Sequence, residues 1–183
     1  NNKIERKINL KMDKVAGSGN DEFYTPIYAI TPILKYLKPN SNIWCPFDTN
    51  QSNFKKTLEQ AGHTVVTTHI ENEQDFFDLI HYETGYDYII SNPPYSLKSE
   101  VLKALFDNKR PFAMLLGVVG IFESKKRFNM FKENDFEIMY FDKRISYFKN
   151  YNEPKPSINP PFSSVYICHD ILPDKIVFEE IIK

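Results

Sequence analysis

Short apolar runs alternate with segments of helical periodicity along this chain, and that alternation is the strongest constraint on its fold. Strands are expected at 42–45, 64–68, 86–91, 112–119, 136–141 and 164–168. Helices are expected between them. Thr25-Pro26 opens the first, with Ile27, Ile30, Leu34 and Leu37 as its stripe and Pro39-Asn40 as its stop. The next spans 53–61 and ends at Gly62. Ser96 can cap a third at 97–106, a fourth covers 122–132, and a short one is expected after Pro173. Strands alternating with helices favour a doubly wound, mostly parallel α/β sheet with helices on both faces.

The chain has 183 residues, 42% of them hydrophobic and 15% aromatic, which is enough for one packed core. Residues 1–21 are polar and Lys-rich, and are expected to be a flexible arm on a single domain at 22–183. No run reaches the length of a membrane span, and no segment has the layout of a signal peptide. Cys45 and Cys168 sit in strand-like contexts and read as reduced core residues of a cytoplasmic protein. His63, His69, His81 and His169 lack metal-ligand spacing, so no metal is expected. Net charge is −1, so any nucleic-acid contact must use local charge. Such charge is available at Lys3, Arg6, Lys7, Lys11 and Lys14, at Lys125-Lys126-Arg127, and at Lys143-Arg144.

Ligands of doubly wound sheets bind at the carboxyl ends of strands, so the residues just past each strand carry the information. Past the first come Pro46-Phe47-Asp48-Thr49-Asn50-Gln51-Ser52. Past the second come His69, Glu71 and Asp75-Phe76, and past the third comes Asn92-Pro93-Pro94-Tyr95. Over about 21–168 this order resembles the S-adenosylmethionine-dependent adenine-N6 DNA methyltransferases, especially small phage-type enzymes. Asn92-Pro93-Pro94-Tyr95 is similar to their catalytic Asp/Asn/Ser-Pro-Pro-Tyr/Phe signature. Tyr24-Thr25-Pro26 is similar to an upstream element that contacts the cofactor. Asp75-Phe76 is similar to the pair that holds the cofactor's adenine. The resemblance implies a Rossmann-like methyltransferase sheet with S-adenosyl-L-methionine as cofactor, in a bacterial or phage-infected cytoplasm.

The tetrapeptide has a physical rationale beside the resemblance. An exocyclic amine is a poor nucleophile because its lone pair is delocalised into the ring. Two acceptors aimed at its hydrogens, the Asn92 side-chain oxygen and the Pro93 carbonyl, favour tetrahedral geometry at nitrogen. Pro93 and Pro94 stiffen the turn, and Tyr95 can stack on an extruded base. An Asn-Pro-Pro sequence also makes an ordinary turn.

The cofactor side departs from the family. Relatives usually carry a glycine-rich turn after the first strand, and this chain has no glycine between Cys45 and Ala61. Pro46, Phe47 and Asp48 then line the site, with Asp48 on the cofactor's ammonium, or the site is impaired and the chain is a binding protein such as a phage inhibitor or decoy. Glu71 is the expected partner of the ribose hydroxyls, with His69 its rival. Asp75 is a cofactor ligand or a plain N-cap, and Phe76 packs on adenine or joins the core. On the target side, Lys143 and Arg144 are candidates for phosphates, and Tyr147 and Phe162 for bases, in a loop at 143–163. The loop favours DNA, with RNA or a glutamine amide as alternatives. No separate recognition domain is visible, so specificity is short or loose, or a protein partner supplies it.

Overall fold

The computed structural model describes residues 23–183; the arm expected over 1–21 lies outside them. Seven strands form one sheet: β1 (Asn42–Cys45), β2 (Thr64–Thr67), β3 (Tyr88–Ser91), β4 (Phe112–Gly117), β5 (Glu137–Phe141), β6 (Ser164–His169) and β7 (Ile176–Glu179). Their order is β2-β1-β3-β4-β6-β5-β7, and β6 alone runs antiparallel to its neighbours. The helices are α1 (Asn53–Gln60), α2 (Phe76–Leu79), α3 (Lys98–Asn108) and α4 (Lys125–Glu133).

Strand periodicity divides the core. Ile43, Cys45, Ala113 and Leu115 face one side, where Phe54 and Leu58 of α1 and Ile30 and Ile33 cover them. Trp44, Phe112, Met114 and Leu116 face the other, against Phe76 of α2, Leu102 and Leu105 of α3 and Phe131 of α4. Polar caps set the helix starts. Ser52 accepts from the Lys55 N–H, Asp75 from Phe77 and Ser124 from Arg127. Gly62, at φ 96°, carries the chain out of α1 into β2. Cys45 and Cys168 are buried and free. Among the described residues no helix is long and apolar enough to cross a membrane.

Three expected elements differ. The segment after Thr25-Pro26 forms two 3-10 turns, Ile27–Ala29 and Thr31–Tyr36, instead of one α-helix. Pro32 lacks the N–H that an α-helix would direct to Tyr28, so the helix cannot propagate through it. Ser96 does not cap α3: Tyr95–Leu97 make a 3-10 turn, and α3 starts at Lys98 without a side-chain cap. The segment past Pro173 is a strand, β7, not a helix. Ile176, Val177 and Phe178 are strand-forming, and the open edge of β5 offers them a ladder.

The docking of β7 depends on charge. Glu179 accepts from Lys35 Nζ at 2.7 Å and from the Tyr36 hydroxyl. Burial alone raises the Glu179 pKa, but the hydrogen bonds from Lys35 and Tyr36 outweigh it and hold the carboxyl below its usual range. Burial and that same hydrogen bond push Tyr36 up to about 12. A depressed carboxylate stabilises above its unfolded pKa and loses that contribution as pH falls through the folded value. Acidification below the ordinary glutamate range should therefore release β7 amides to hydrogen exchange before those of β4. Glu179→Gln should remove that acid dependence; an unchanged profile would show that the carboxylate does not fasten the strand.

Leu115 is fully buried at the centre of β4. Leu115→Ala should cost about 2–5 kcal/mol. Denaturant melts followed by Trp44, the sole tryptophan and 1% exposed, check this directly.

Candidate active site

The carboxyl ends of β1, β2 and β3 are tied together by side chains at the turns that follow them. Ser91 Oγ donates to Asp48 Oδ2 at 2.5 Å and accepts from the Phe47 N–H at 3.3 Å. The Asp48 N–H donates to the Thr68 carbonyl at 3.2 Å, and Trp44 Nε1 donates to Thr68 Oγ1 at 2.9 Å. Thr67 Oγ1 donates to Asn50 Oδ1 at 3.0 Å. The glycine-free turn is thus held by polar side chains bonded to both flanking strands, and Asp48 is 7% exposed within it.

Two adjoining cavities open over these strand ends. One is bounded by Tyr24 and Thr25, by Phe47, Asp48 and Thr49, and by Asn92. Tyr151 completes it from the 143–163 loop, 4.5 Å centroid to centroid from Tyr24. The other is bounded by Pro46, by Ile70 and Gln74, and by Asp75, Phe76 and Phe77. Phe47, His69 and Pro94 line both, so the two meet at these residues and together make up a narrow cleft. His69 is 5% exposed and its Nδ1 accepts from the Glu71 N–H at 3.1 Å. Its neutral ring therefore carries its proton on Nε2.

Asn92 has a defined orientation. Its Nδ2 donates to the Phe23 carbonyl at 2.9 Å and to Thr25 Oγ1 at 3.2 Å. A carbonyl can only accept, so the amino group must face Phe23 and Oδ1 must face away. Among the described residues neither Asn92 Oδ1 nor the Pro93 carbonyl has a hydrogen-bond partner. Asn53 Nδ2 in turn donates to the Thr25 carbonyl at 2.9 Å, tying this segment to the start of α1.

Aromatic rings stand beside the tetrapeptide. Tyr95 meets Phe23 at 5.0 Å and Phe162 at 5.4 Å, both edge to face. Gly117, at the end of β4, makes room for them. A Cβ there would lie 2.7 Å from Phe162 Cε2 and 3.1 Å from Tyr95 Cε1.

The expected residues distribute unevenly. Tyr24, Thr25, Pro46, Phe47, Asp48, Asp75 and Phe76 all line the cleft, with Asn92 and Pro94. Asp75 also caps α2: its Oδ1 accepts from the Phe77 N–H at 2.9 Å, and its other oxygen has no hydrogen-bond partner among the described residues. Phe76 both walls the cleft and packs on Trp44 at 5.7 Å. Pro26 lies on a neighbouring groove instead. Glu71 is exposed and outside the cavity walls, while His69 is in them. Phe162 reaches the tetrapeptide through Tyr95.

Tyr147 corrects the expectation of a base-stacking side chain. It is 0% exposed and bonds Ser164 Oγ at 2.6 Å in the core. Burial, with the Tyr95 hydroxyl nearby, pushes its phenol well above the ordinary tyrosine range. Lys143 Nζ is occupied by the Ile181 carbonyl at 3.0 Å and Asp142 at 3.2 Å, while Arg144 is exposed. The 143–163 loop is pinned by paired backbone bonds between Tyr147 and Ile158 and between Phe148 and Tyr24. Its inward face therefore roofs the cleft. The contributions of Phe23, Ser91 and Gly117 carry no local sequence signal, because each depends on a contact with a distant residue.

No protein-family model matches the sequence, and no curated protein matches it. Among solved structures, a modification subunit of a putative type I restriction enzyme from Vibrio vulnificus superposes with a TM-score of 0.54 at 10% identity. The match covers 97% of this chain and 50% of that one, so the chain spans half the subunit's length. The chain has the methyltransferase fold. TrmN from Thermus thermophilus superposes with a TM-score of 0.45 at 11% identity, over 78% of this chain and 47% of that one. A precorrin-6y C5,15-methyltransferase from Geobacter metallireducens superposes with a TM-score of 0.42 at 11% identity, over 83% and 96%.

Overpacking at the β4 end tests the aromatic arrangement. Gly117→Ala should cost about 1–3 kcal/mol by displacing Phe162 and Tyr95. Adding Phe162→Leu should recover part of that loss in denaturant melts; strict additivity of the two changes would rule out the clash.

Proposed function

We propose that the chain is an S-adenosylmethionine-dependent methyltransferase acting on the exocyclic N6 amine of adenine in DNA. The observation that carries this reading is the orientation of Asn92. Its amino group is held by Phe23 and Thr25, which leaves Oδ1 of this cleft-lining residue, like the neighbouring Pro93 carbonyl, as an acceptor without a hydrogen-bond partner among the described residues. That is the donor-free arrangement a planar amine requires.

The cleft fits the cofactor in two respects. Its two cavities, which share Phe47, His69 and Pro94, suit the two ends of an elongated ligand. The Asp75 oxygen that does not cap α2 suits an adenine amino group, beside the paired rings of Phe47 and Phe76. His69, which lines both cavities, serves the ribose hydroxyls, and Asp48 with Tyr24 and Thr25 serves the methionine end. The bound cofactor supplies an electrophilic methyl group on a sulfonium.

Asn92 Oδ1 and the Pro93 carbonyl accept the two amine hydrogens of the target. They would draw its nitrogen lone pair out of conjugation and hold it toward the methyl donor. The cofactor would supply the methyl, its C–S bond breaking as the N–C bond forms, and the extra amine proton would leave to solvent. Asn92 is neutral and acts by positioning, not as a formal base. Tyr95 stacks on the extruded base and offsets part of its unstacking cost. The products are N6-methyladenine and S-adenosylhomocysteine.

Three experiments test this. Calorimetry with S-adenosylmethionine should give measurable binding; silence would favour a binding protein built on the glycine-free turn. Mass analysis of nucleosides from incubated DNA should find N6-methyladenine, and label transfer to RNA or protein instead would reassign the substrate. Asn92→Ala should lower kcat by about 10²–10³-fold while cofactor affinity stays within a few fold. Retained turnover would remove Asn92 from the reaction.

A further inference from the structure

The run Lys125-Lys126-Arg127 is split by the fold. Lys126 Nζ pairs with Glu100 at 3.6 Å, and Lys125 is exposed. Arg127 turns inward. Its Nε donates to the Ile121 carbonyl at 2.9 Å, Nη1 to Ser99 Oγ at 2.9 Å and Nη2 to the Gly120 carbonyl at 2.8 Å. Three of its five N–H donors are used, which leaves one on each terminal nitrogen. All three partners are neutral, and among the described residues no carboxylate forms an ion pair with it.

Lys98 adds a second cation. It is half-buried and, among the described residues, has neither an ion pair nor a hydrogen bond from its ammonium. Burial first, and the Arg127 charge second, hold that ammonium below the usual lysine range. Two neighbouring cations, partly withdrawn from water and lacking a counter-ion, repel each other. An anion with two or more oxygens removes that cost and matches the remaining guanidinium donors. Among the nearby acids, Glu100 is paired with Lys126, and Glu123 reaches the Gly120 backbone without forming an ion pair with Arg127 or Lys98.

The position of the pair selects the anion. The Lys98 backbone N–H bonds the Tyr95 carbonyl, so Lys98 is one turn of chain from the tetrapeptide. Gly120 and Ile121 belong to the turn past β4, on the same edge of the sheet as the cleft. Val119 and Phe122 of that turn are 64% and 37% exposed. A base held at Asn92 and Tyr95 carries its backbone phosphates past this edge.

We infer that Lys98 and Arg127 form a phosphodiester-binding site for the nucleic-acid strand that presents its base to Asn92. This rests on the proposed reading of the site. Both residues contribute to affinity independently of sequence, because they touch phosphate and not a base edge.

Salt titration of binding to a fluorescent DNA duplex tests the site. Arg127 also fastens the turn past β4, so Lys98→Gln is the informative variant. It should reduce the slope of log affinity against log salt by about 0.9 on duplex DNA. Affinity at low salt should fall several-fold, and Lys98→Arg should restore both quantities. Lys103→Gln, which removes an exposed lysine paired with Asp107, should leave the slope unchanged. The same loss of slope seen only on an RNA strand of that sequence would support the site while replacing DNA as the polymer. A Lys98→Gln slope equal to the parent's, in a parent that binds and methylates DNA, would overturn the phosphate site and leave the activity standing. A parent that binds neither polymer would overturn both.

Discussion

The hydrogen bond from the Asn92 amide to the Phe23 carbonyl decides which way the side chain after β3 is turned. Asparagine is ambivalent, since it offers a donor and an acceptor at opposite corners of one small plane. Placed after β3 without a partner, it could rotate about its terminal torsion and present either corner to the cleft. The Phe23 carbonyl removes that freedom because it can only accept, and Thr25 Oγ1 takes the second amide hydrogen. Asn53 fixes Thr25 from α1. Three stretches remote in sequence, around residues 23–25, 53 and 92, thus determine which face of one side chain meets the cleft.

The glycine-free turn after β1 follows the same logic. A glycine there would let backbone approach a ligand closely, but it would also leave the turn loose. Here the turn is closed by side chains: Ser91 links Asp48 to β3, and Asn50 links it to Thr67 of β2. Because Ser91 precedes Asn92 directly, the same stretch ties the turn after β1 to the turn after β3. Bonded side chains here give the rigidity, and the cavities on both sides of Phe47 lie against that fixed turn.

The sheet was legible because its signal is local. Runs such as 42–45 and 112–117 are apolar on both faces, and only a strand covered on both sides buries them fully. The order of motifs at the strand ends was legible for the same reason. What the sequence hid was relational. The stripe Ile27, Ile30, Leu34 and Leu37 has helical spacing, yet Pro32 forbids the ladder that spacing suggests. The β7 segment is charged at its ends and short, and it is a strand because β5 offers an edge and Lys35 and Tyr36 hold Glu179. Tyr147 sits in a loop rich in exposed polar residues, which suggested an exposed ring. It is buried because the loop folds back on Tyr24 and Ser164. Gly117 was silent because its meaning is the room it leaves for Phe162 and Tyr95.

These corrections move the target side of the molecule. The 143–163 loop contributes Tyr151 to the roof of the cleft, and Tyr147 and Lys143 are spent on structure. Lys143 is bound to the C-terminal segment, so its charge is partly consumed before any ligand arrives. Lys98 follows the tetrapeptide by one turn, and among the described residues neither it nor Arg127 pairs with a carboxylate. On the proposed reading, a strand with its base at Asn92 would meet these two charges through its phosphates. Contacts of that kind hold a backbone without reading its sequence. Base identity would then be selected chiefly at the Asn92–Pro93 acceptors, which demand an amine and exclude a carbonyl at the same place.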